Sequence, residues 1–290
     1  MLIVFNPAAG NRRVHRLWRV LDILTANGIR CEVARTSAPG DARAFAAAAA
    51  AAGTRVVVAA GGDGTIAEVA AGLLGSPTAL GVIPLGTANV LALEHGLPRA
   101  PRAIAAALAF ARTRPLWPGL ARDRAGGELL FTQMLGFGFD AAVVARVGTR
   151  LKRALGRGAY AVQTLRTLFD HEFVPIRVCI DGADTTAAGV IVTKGRLYAG
   201  PYLLAPEADA GAPGFSVVLF DRAGPWAVAA YAAALLGGRL PRAPGLRRVR
   251  AGMLSLPGNA PLAAQADGDR AGRDVVGITD APAPLRLVVG

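Results

Sequence analysis

The chain has 290 residues, 53% of them hydrophobic, with 32 basic against 20 acidic side chains and a net charge of +12. That length can bury a sizeable core in one large or two smaller domains, and the charge favours anionic partners such as nucleotides or acidic lipid surfaces. Cys31 and Cys179 lie far apart in strand-like segments and imply no disulfide framework, and His15, His95 and His171 have no metal-ligand spacing.

Leu2–Phe5 predicts a strand, with no basic n-region or cleavage site of a signal peptide before it. It ends in the turn Asn6-Pro7-Ala8-Ala9-Gly10. A helix over Val14–Asn27 stops at Gly28, a strand follows over Cys31–Arg35, and Asp41 is placed as the N-cap of a helix reaching Ala52. Val56–Ala60 is a β-branched apolar run bounded by a turn, which predicts a buried strand of a parallel sheet. Directly behind it stand Gly61-Gly62-Asp63-Gly64-Thr65 and a helix over Ile66–Leu74. Paired glycines let backbone N–H groups approach a ligand, and the helix aims its positive end at the same place, which suits a phosphate. Asp63 is then a carboxylate among phosphate-binding amides, a costly position without a metal or a substrate proton nearby. The strand Ala79–Ile83, the turn Pro84–Asn89 and the helix Pro101–Ala111 complete an alternation that predicts an α/β doubly wound parallel sheet. Ligands of that architecture sit at the carboxyl ends of the strands, where all three glycine-containing turns fall.

Near Trp117 the pattern changes, with Pro115, Pro118 and Gly126-Gly127 breaking the helix. Strand-like segments follow at Leu129–Gly136, Phe173–Asp181, Ala187–Lys194, Phe215–Phe220, Val249–Leu256 and Leu285–Val289, interrupted by helices over Ala141–Phe169 and Pro225–Leu236. They predict a β-rich, sandwich-like second domain over 118–279 after an α/β domain over 1–117, with the segment from about 280 to 290 packing back on the first. No stretch reaches the roughly 20 apolar residues of a membrane span. With 6% aromatic residues and no stacking motif, nucleic acid is the weaker anionic partner.

Bland readings stand beside the chemical ones. Thr65 and Glu68 have the spacing of a capping box, which explains Glu68 without catalysis. Asp140 is a candidate cap for the helix behind it, and Asp267 and Asp269 sit in a glycine turn that reads as a solvated hairpin tip. Arg146, Arg150, Arg153 and Arg157 share one helix face with Lys152 nearby, and Arg239, Arg242, Arg247, Arg248 and Arg250 form a second acid-free cluster behind the uncharged Pro225–Leu236 helix. Two basic clusters near an apolar helix fit docking on anionic lipid.

The four segments Asn6–Gly10, Gly61–Glu68, Pro84–Asn89 and Gly136–Ala141 together resemble the diacylglycerol kinase catalytic-domain family, which includes bacterial lipid kinases and sphingosine kinases. The resemblance continues through Leu151–Tyr160 and Asp267-Gly268-Asp269, nearly the whole chain. NAD kinases also carry the GGDGT segment, but the turn Pro84–Asn89 here has the lipid-kinase form. The resemblance implies ATP binding by Asn6, Pro7, Ala8, Ala9, Gly10, Thr36, Gly61, Gly62, Asp63, Gly64, Thr65, Gly86, Thr87 and Asn89. It implies that Asp63 holds Mg²⁺, and that Asp269, where the family has a glutamate, is the base for a lipid hydroxyl. The expected partners are that lipid and an anionic membrane surface, with a cytoplasmic, peripherally membrane-associated location and with a homodimer left open.

The chain departs from the family at Val90 and Pro118, where acids are usual, and at Pro213-Gly214, in place of a metal-binding acidic pair. The alternatives are an NAD-kinase-like phosphotransferase with a soluble acceptor and a weakly catalytic nucleotide-binding regulator.

Overall fold

The structure, a computed structural model, describes residues 1–9, 13–146, 163–164, 167–168, 170–258 and 261–290. It divides into two compact units, Met1–Pro118 with Ala281–Gly290, and Gly119–Asp280.

The first unit carries a six-stranded sheet in the order β2-β1-β3-β4-β20-β5. Its strands are β1 (Leu2–Phe5), β2 (Glu32–Arg35), β3 (Val56–Gly61), β4 (Ala79–Pro84), β5 (Thr113–Leu116) and β20 (Leu285–Val288). Pairings β1–β2, β1–β3, β3–β4 and β4–β20 are parallel, and β5 runs antiparallel on β20. Both β3 and β4 are buried along their full length, which the continuous apolar runs VVVAA and ALGVI make favourable. Ile3, Phe5, Val56, Val58 and Ala60 share one core with Leu17, Val20 and Leu24 of α1 (Val14–Ala26) and Ile104 and Leu108 of α5 (Pro101–Phe110). The helices α2 (Asp41–Ala51) and α3 (Asp63–Leu73) pack on each other. A short helix α4 (Val90–Glu94), absent from the sequence reading, follows the turn after β4.

The second unit holds two six-stranded sheets, β10-β9-β16-β19-β6-β7 and β15-β14-β11-β8-β17-β18, whose pairings are all antiparallel. The first comprises β6 (Gly119–Asp123), β7 (Glu128–Phe131), β9 (Ile176–Ile180), β10 (Ala183–Ala187), β16 (Met253–Ser255) and β19 (Val275–Asp280). The second comprises β8 (Met134–Gly138), β11 (Gly189–Thr193), β14 (Phe215–Phe220), β15 (Leu246–Ala251), β17 (Ala263–Ala266) and β18 (Asp269–Arg273). Phe131, Ile176, Val178 and Ile278 of one sheet meet Leu135, Phe137, Val190, Val217 and Leu219 of the other in one core, so the unit is a sandwich. The unit also carries the helices α6 (Phe139–Arg146) and α7 (Pro225–Leu236). A two-strand hairpin, β12 (Leu197–Tyr198) with β13 (Tyr202–Leu203), stands apart from the sheets.

Two segments that read as single strands are each split between the sheets. Leu129–Gly136 divides into β7 and β8, and Val249–Leu256 into β15 and β16. A distant carboxylate fixes each break. Asp267 accepts from the N–H groups of Thr132, Gln133 and Met134 at 2.7, 2.8 and 2.9 Å and from the Thr132 hydroxyl at 2.9 Å. Asp181 accepts from Gly252 and Met253 N–H, the latter at 2.8 Å. Asp267 does lie in a hairpin turn between β17 and β18, yet its carboxylate is committed to the protein, which corrects the solvated-tip reading for that residue. Burial pushes its carboxyl up against the pull of those four donors.

Lys194, directly after β11, is buried on the same principle. Its ammonium donates to Ala212 O at 3.1 Å, Gly214 O at 2.7 Å and Asp280 Oδ1 at 2.6 Å, and lies 4.7 Å from the Phe215 ring centre. Gly214, part of the departure from the family pattern, thus carries a bond to a lysine, and its own N–H donates to the other oxygen of Asp280.

Candidate functional site

Parallel pairing brings the carboxyl ends of β1, β3 and β4 side by side, and their turns meet there. Asn6 is the hinge of the first turn. Its backbone N–H donates to Ala60 O at 3.0 Å, its Oδ1 accepts from Ala8 N–H at 2.9 Å, and its Nδ2 donates to Thr65 Oγ1 at 3.0 Å. The turn Pro7–Ala9 is a single 3-10 turn in which Ala9 N–H bonds to Asn6 O at 3.2 Å. The N–H groups of Ala8 and Ala9 therefore serve the turn itself. Gly10 lies outside the described residues, as do Arg150, Lys152, Arg153 and Arg157 and the whole Leu151–Tyr160 segment.

The second turn is tighter than the sequence suggests. β3 runs on to Gly61, Gly62 is the N-cap in extended conformation, and Asp63 is already the first residue of α3. The first intrahelical bond is Ile66 N–H to Gly62 O at 3.0 Å, so the N–H groups ahead of it point out of the helix start. The capping-box reading fails here. Thr65 sits at the third helical position and accepts from Asn6, while Glu68 Oε2 reaches across to accept from Gly40 N–H at 3.1 Å. Asp41 likewise is not an N-cap: Gly40 is, at φ 90°, and Asp41 Oδ2 accepts from Ser37 N–H, Ser37 Oγ and Ala38 N–H. Those donors hold its carboxyl below the usual carboxylate range. Thr36, one residue past β2, donates its N–H to Phe5 O at 2.9 Å, which places it beside the end of β1.

The third turn lies against the second. Leu85 and Gly86 N–H both donate to Gly61 O, at 2.9 and 3.1 Å. A Cβ on Gly86 would stand 2.5 Å from Gly62 Cα, so only glycine permits this approach. Asn89, left-handed at φ 48°, donates Nδ2 to Gly86 O at 2.7 Å, and its buried Oδ1 has no hydrogen-bond partner among the described residues. Thr87 is exposed at the tip. Asp63 Oδ1 accepts from Leu91 N–H at 3.4 Å, which couples the start of α3 to α4. Val90, at the acid position of the family, is 8% exposed.

Two arginines that sequence reasoning passed over complete the arrangement. The Arg13 guanidinium donates to Gly86 O, and Arg16 donates to Pro84 O at 2.6 Å. Burial, then the like charges of Arg13 and Arg99, push the Arg16 guanidinium down. A group whose neighbours are cationic marks a positive potential beside the strand ends. The readable signal was their spacing of three residues at the start of α1, directly after the Asn6 turn.

ATP and Mg²⁺, which the resemblance implies, fit these residues differently. The Gly62–Gly86 approach, the start of α3 and the arginines form a cradle for phosphate oxygens. No group of three His, Cys, Asp or Glu side chains that could hold a metal exists among the described residues. Asp63 suits the mode in which Mg²⁺ takes one carboxylate, with phosphate oxygens and waters as its other ligands.

In the second unit, Asp140 is the second residue of α6 and accepts from Tyr198 OH and from Gln265 Nε2 at 2.8 Å. It is a cross-link between elements rather than a simple helix cap, and burial raises its carboxyl against both donors. Asp269 opens β18 opposite Ala266 and is exposed.

A family model for the diacylglycerol kinase catalytic domain matches residues 1–119, and one for the YegS C-terminal NAD kinase beta sandwich-like domain matches residues 133–289. A diacylglycerol kinase of Mycobacterium tuberculosis is 35% identical over 173 residues, 58% of this chain. The chain thus spans just over half, 56%, of that relative's length. A Pseudomonas putida protein named "Probable lipid kinase YegS-like" is 34% identical over 214 residues, 72% of this chain and 69% of the relative. A crystal structure from Bacillus anthracis str. Sterne aligns over 100% of this chain and 97% of its own at TM-score 0.77 and 21% identity. A diacylglycerol kinase structure from the same strain aligns over 100% and 96% at TM-score 0.70 and 17%. At these identities the structures speak for the fold alone, and they agree with the α/β domain and sandwich found here.

Proposed function

The chain belongs to the diacylglycerol kinase catalytic-domain family, and on that premise we propose that it transfers the γ-phosphate of ATP to the hydroxyl of a lipid, diacylglycerol or a close relative. One observation carries the reading: the turns after β1, β3 and β4 interlock at one end of a parallel sheet, with Gly62 against Gly86 and a helix start between them. That arrangement offers N–H groups and cationic side chains to a triphosphate and leaves little covalent chemistry for the protein.

In the reaction the lipid hydroxyl oxygen forms a bond to the γ-phosphorus as the bond to the β–γ bridging oxygen breaks, and ADP leaves. The hydroxyl proton passes to a base, the role assigned to Asp269, whose side chain is one methylene shorter than the family's glutamate. Positioning and charge neutralisation supply most of the acceleration in such transfers. Thr65, locked by Asn6, and Asn89, locked on Gly86, fix the turns; Arg13 and Arg16 offset phosphate charge. Mg²⁺ held at Asp63 would neutralise charge on the phosphate oxygens.

Labelled ATP offered with diacylglycerol, sphingosine, phosphatidylglycerol and NAD tests this. Label on a diacylglycerol-type lipid, lost in Asp63→Asn with the fold intact, is the expected result. Label on NAD alone overturns the lipid acceptor, and ATP binding without transfer to any acceptor supports a nucleotide-binding regulator instead.

A further inference from the structure

The helix α7 carries no charged side chain along its twelve residues, and only one side of it is covered. Tyr231 is buried there, its ring edge-on to Phe220 at 5.0 Å and its hydroxyl donating to Gly245 O at 2.7 Å. Ala227, Ala234 and Leu235 pack on the same core. The other side presents Trp226, Ala229, Ala230, Ala233 and Leu236, at helical spacings of three and four, with Trp226 89% and Leu236 69% exposed. A surface helix ordinarily turns charged and polar residues to water, so this second apolar face is built for something other than water.

Charge says what that is. No Asp or Glu occurs between Arg222 and Arg250, a stretch that holds Arg222, Arg239, Arg242, Arg247, Arg248 and Arg250. Arg247 and Arg248 are neutralised by Asp221 and Glu207. Arg222 precedes the helix, Arg239 and Arg242 follow it, all three are exposed, and none has an ion pair among the described residues. An apolar strip with an exposed indole and unpaired cations at both ends matches a bilayer interface, where rings sit at headgroup level and long basic side chains reach phosphates. No described helix is long and apolar enough to cross a membrane, so the contact is lateral.

We propose that the bare face of α7 docks the second unit on an anionic lipid bilayer, with the helix lying in the interface plane. The inference rests on the membrane-lipid acceptor of the proposed function for its purpose, though not for its measurement. The intact chain is sedimented with phosphatidylcholine vesicles with and without phosphatidylglycerol. Binding is expected to need the anionic lipid. The variant Trp226→Glu/Leu236→Glu should lower it at least tenfold, and Arg239→Gln/Arg242→Gln roughly 25-fold, from about 1 kcal/mol per basic residue near the surface. Ala230→Glu gives a second break of the face should the first pair disturb folding, which thermal melts report. Phosphorylation of short-chain diacylglycerol dispersed in detergent should be unchanged in all three.

Sedimentation of the glutamate variants at the wild-type level overturns the docking face. So does light scattering that finds a dimer dissolved by the same substitutions, which would assign the face to a second copy. Wild-type binding to anionic vesicles without kinase activity keeps the docking surface and sinks the lipid-kinase reading. Activity on dispersed lipid without vesicle binding does the reverse.

Discussion

Asn6 and Thr65 are joined across 59 residues of sequence by one side-chain hydrogen bond of 3.0 Å, which ties the turn after β1 to the first turn of α3. Asn6 also holds Ala8 N–H, so a single side chain sets both turns. Asn6→Ala removes both bonds, and at about 0.5–1.5 kcal/mol for each hydrogen bond it should raise KM for ATP about fivefold or more. Steady-state kinetics check this, and an unchanged KM places the nucleotide elsewhere.

Gly62 and Gly86 make an asymmetric pair. A methyl on Gly86 meets backbone at 2.5 Å, whereas one on Gly62 finds its nearest neighbour at an ordinary 3.5 Å. Gly86→Ala should therefore destabilise the first unit by about 1–3 kcal/mol, as overpacking does, while Gly62→Ala leaves stability close to wild type. Thermal melts of the two variants compare them directly, and equal melting temperatures contradict the close approach.

Lys194 and Asp280 form an ion pair with the lysine side chain at 0% and the aspartate at 19% exposure. Burial pushes the Lys194 ammonium down, and the bond and charge of Asp280 hold it up. Removing the lysine strands a carboxylate beside the sandwich, so Lys194→Met should cost about 3 kcal/mol, the lower end for a buried pair because Asp280 keeps some water. Lys194→Met/Asp280→Asn should recover part of that loss. A double-mutant cycle by urea unfolding measures the coupling, and additive losses refute it.

Asp140 supplies a pH signature. Its folded carboxyl is raised by burial, so the folded chain keeps the proton longer than the unfolded chain does. The stability this gives is fully present below the unfolded value of about 3.9 and is lost as pH rises through the folded pKa. Urea midpoints should fall less steeply over that window in Asp140→Asn than in wild type. Tyr198→Phe removes a donor to the carboxylate and should carry the decline to higher pH. Parallel profiles for wild type and Asp140→Asn refute the shift.

The parts of this architecture that are local in sequence were legible there. The β-branched run before Gly61 and the glycines behind it announce a strand, a turn and a helix start, and the alternation around them announces the parallel sheet. The split strands were not legible, because their breaks depend on acceptors far away in sequence: Asp267 for Thr132–Met134 and Asp181 for Gly252–Met253. The capping box misled for the same reason. Thr65 and Glu68 have the local spacing, but Asn6 and Gly40 engage them from distant turns instead. Arg13 and Arg16 were readable only as a basic helix face until the sheet placed Gly86 and Pro84 against them.

The position of β20 has a consequence for synthesis. It lies between β4 and β5 in the sheet, and among the described residues β5 has no other strand neighbour. A ribosome makes residues 285–288 only after the entire sandwich has been translated. Until then the nascent sheet exposes an open edge at β4, and β5 waits unpaired through the synthesis of residues 117–284. The sandwich can close on itself during that interval, while the first unit is held incomplete, so a stop codon at positions 281–284, past the sandwich and before β20, should yield a folded second unit attached to an aggregation-prone first one.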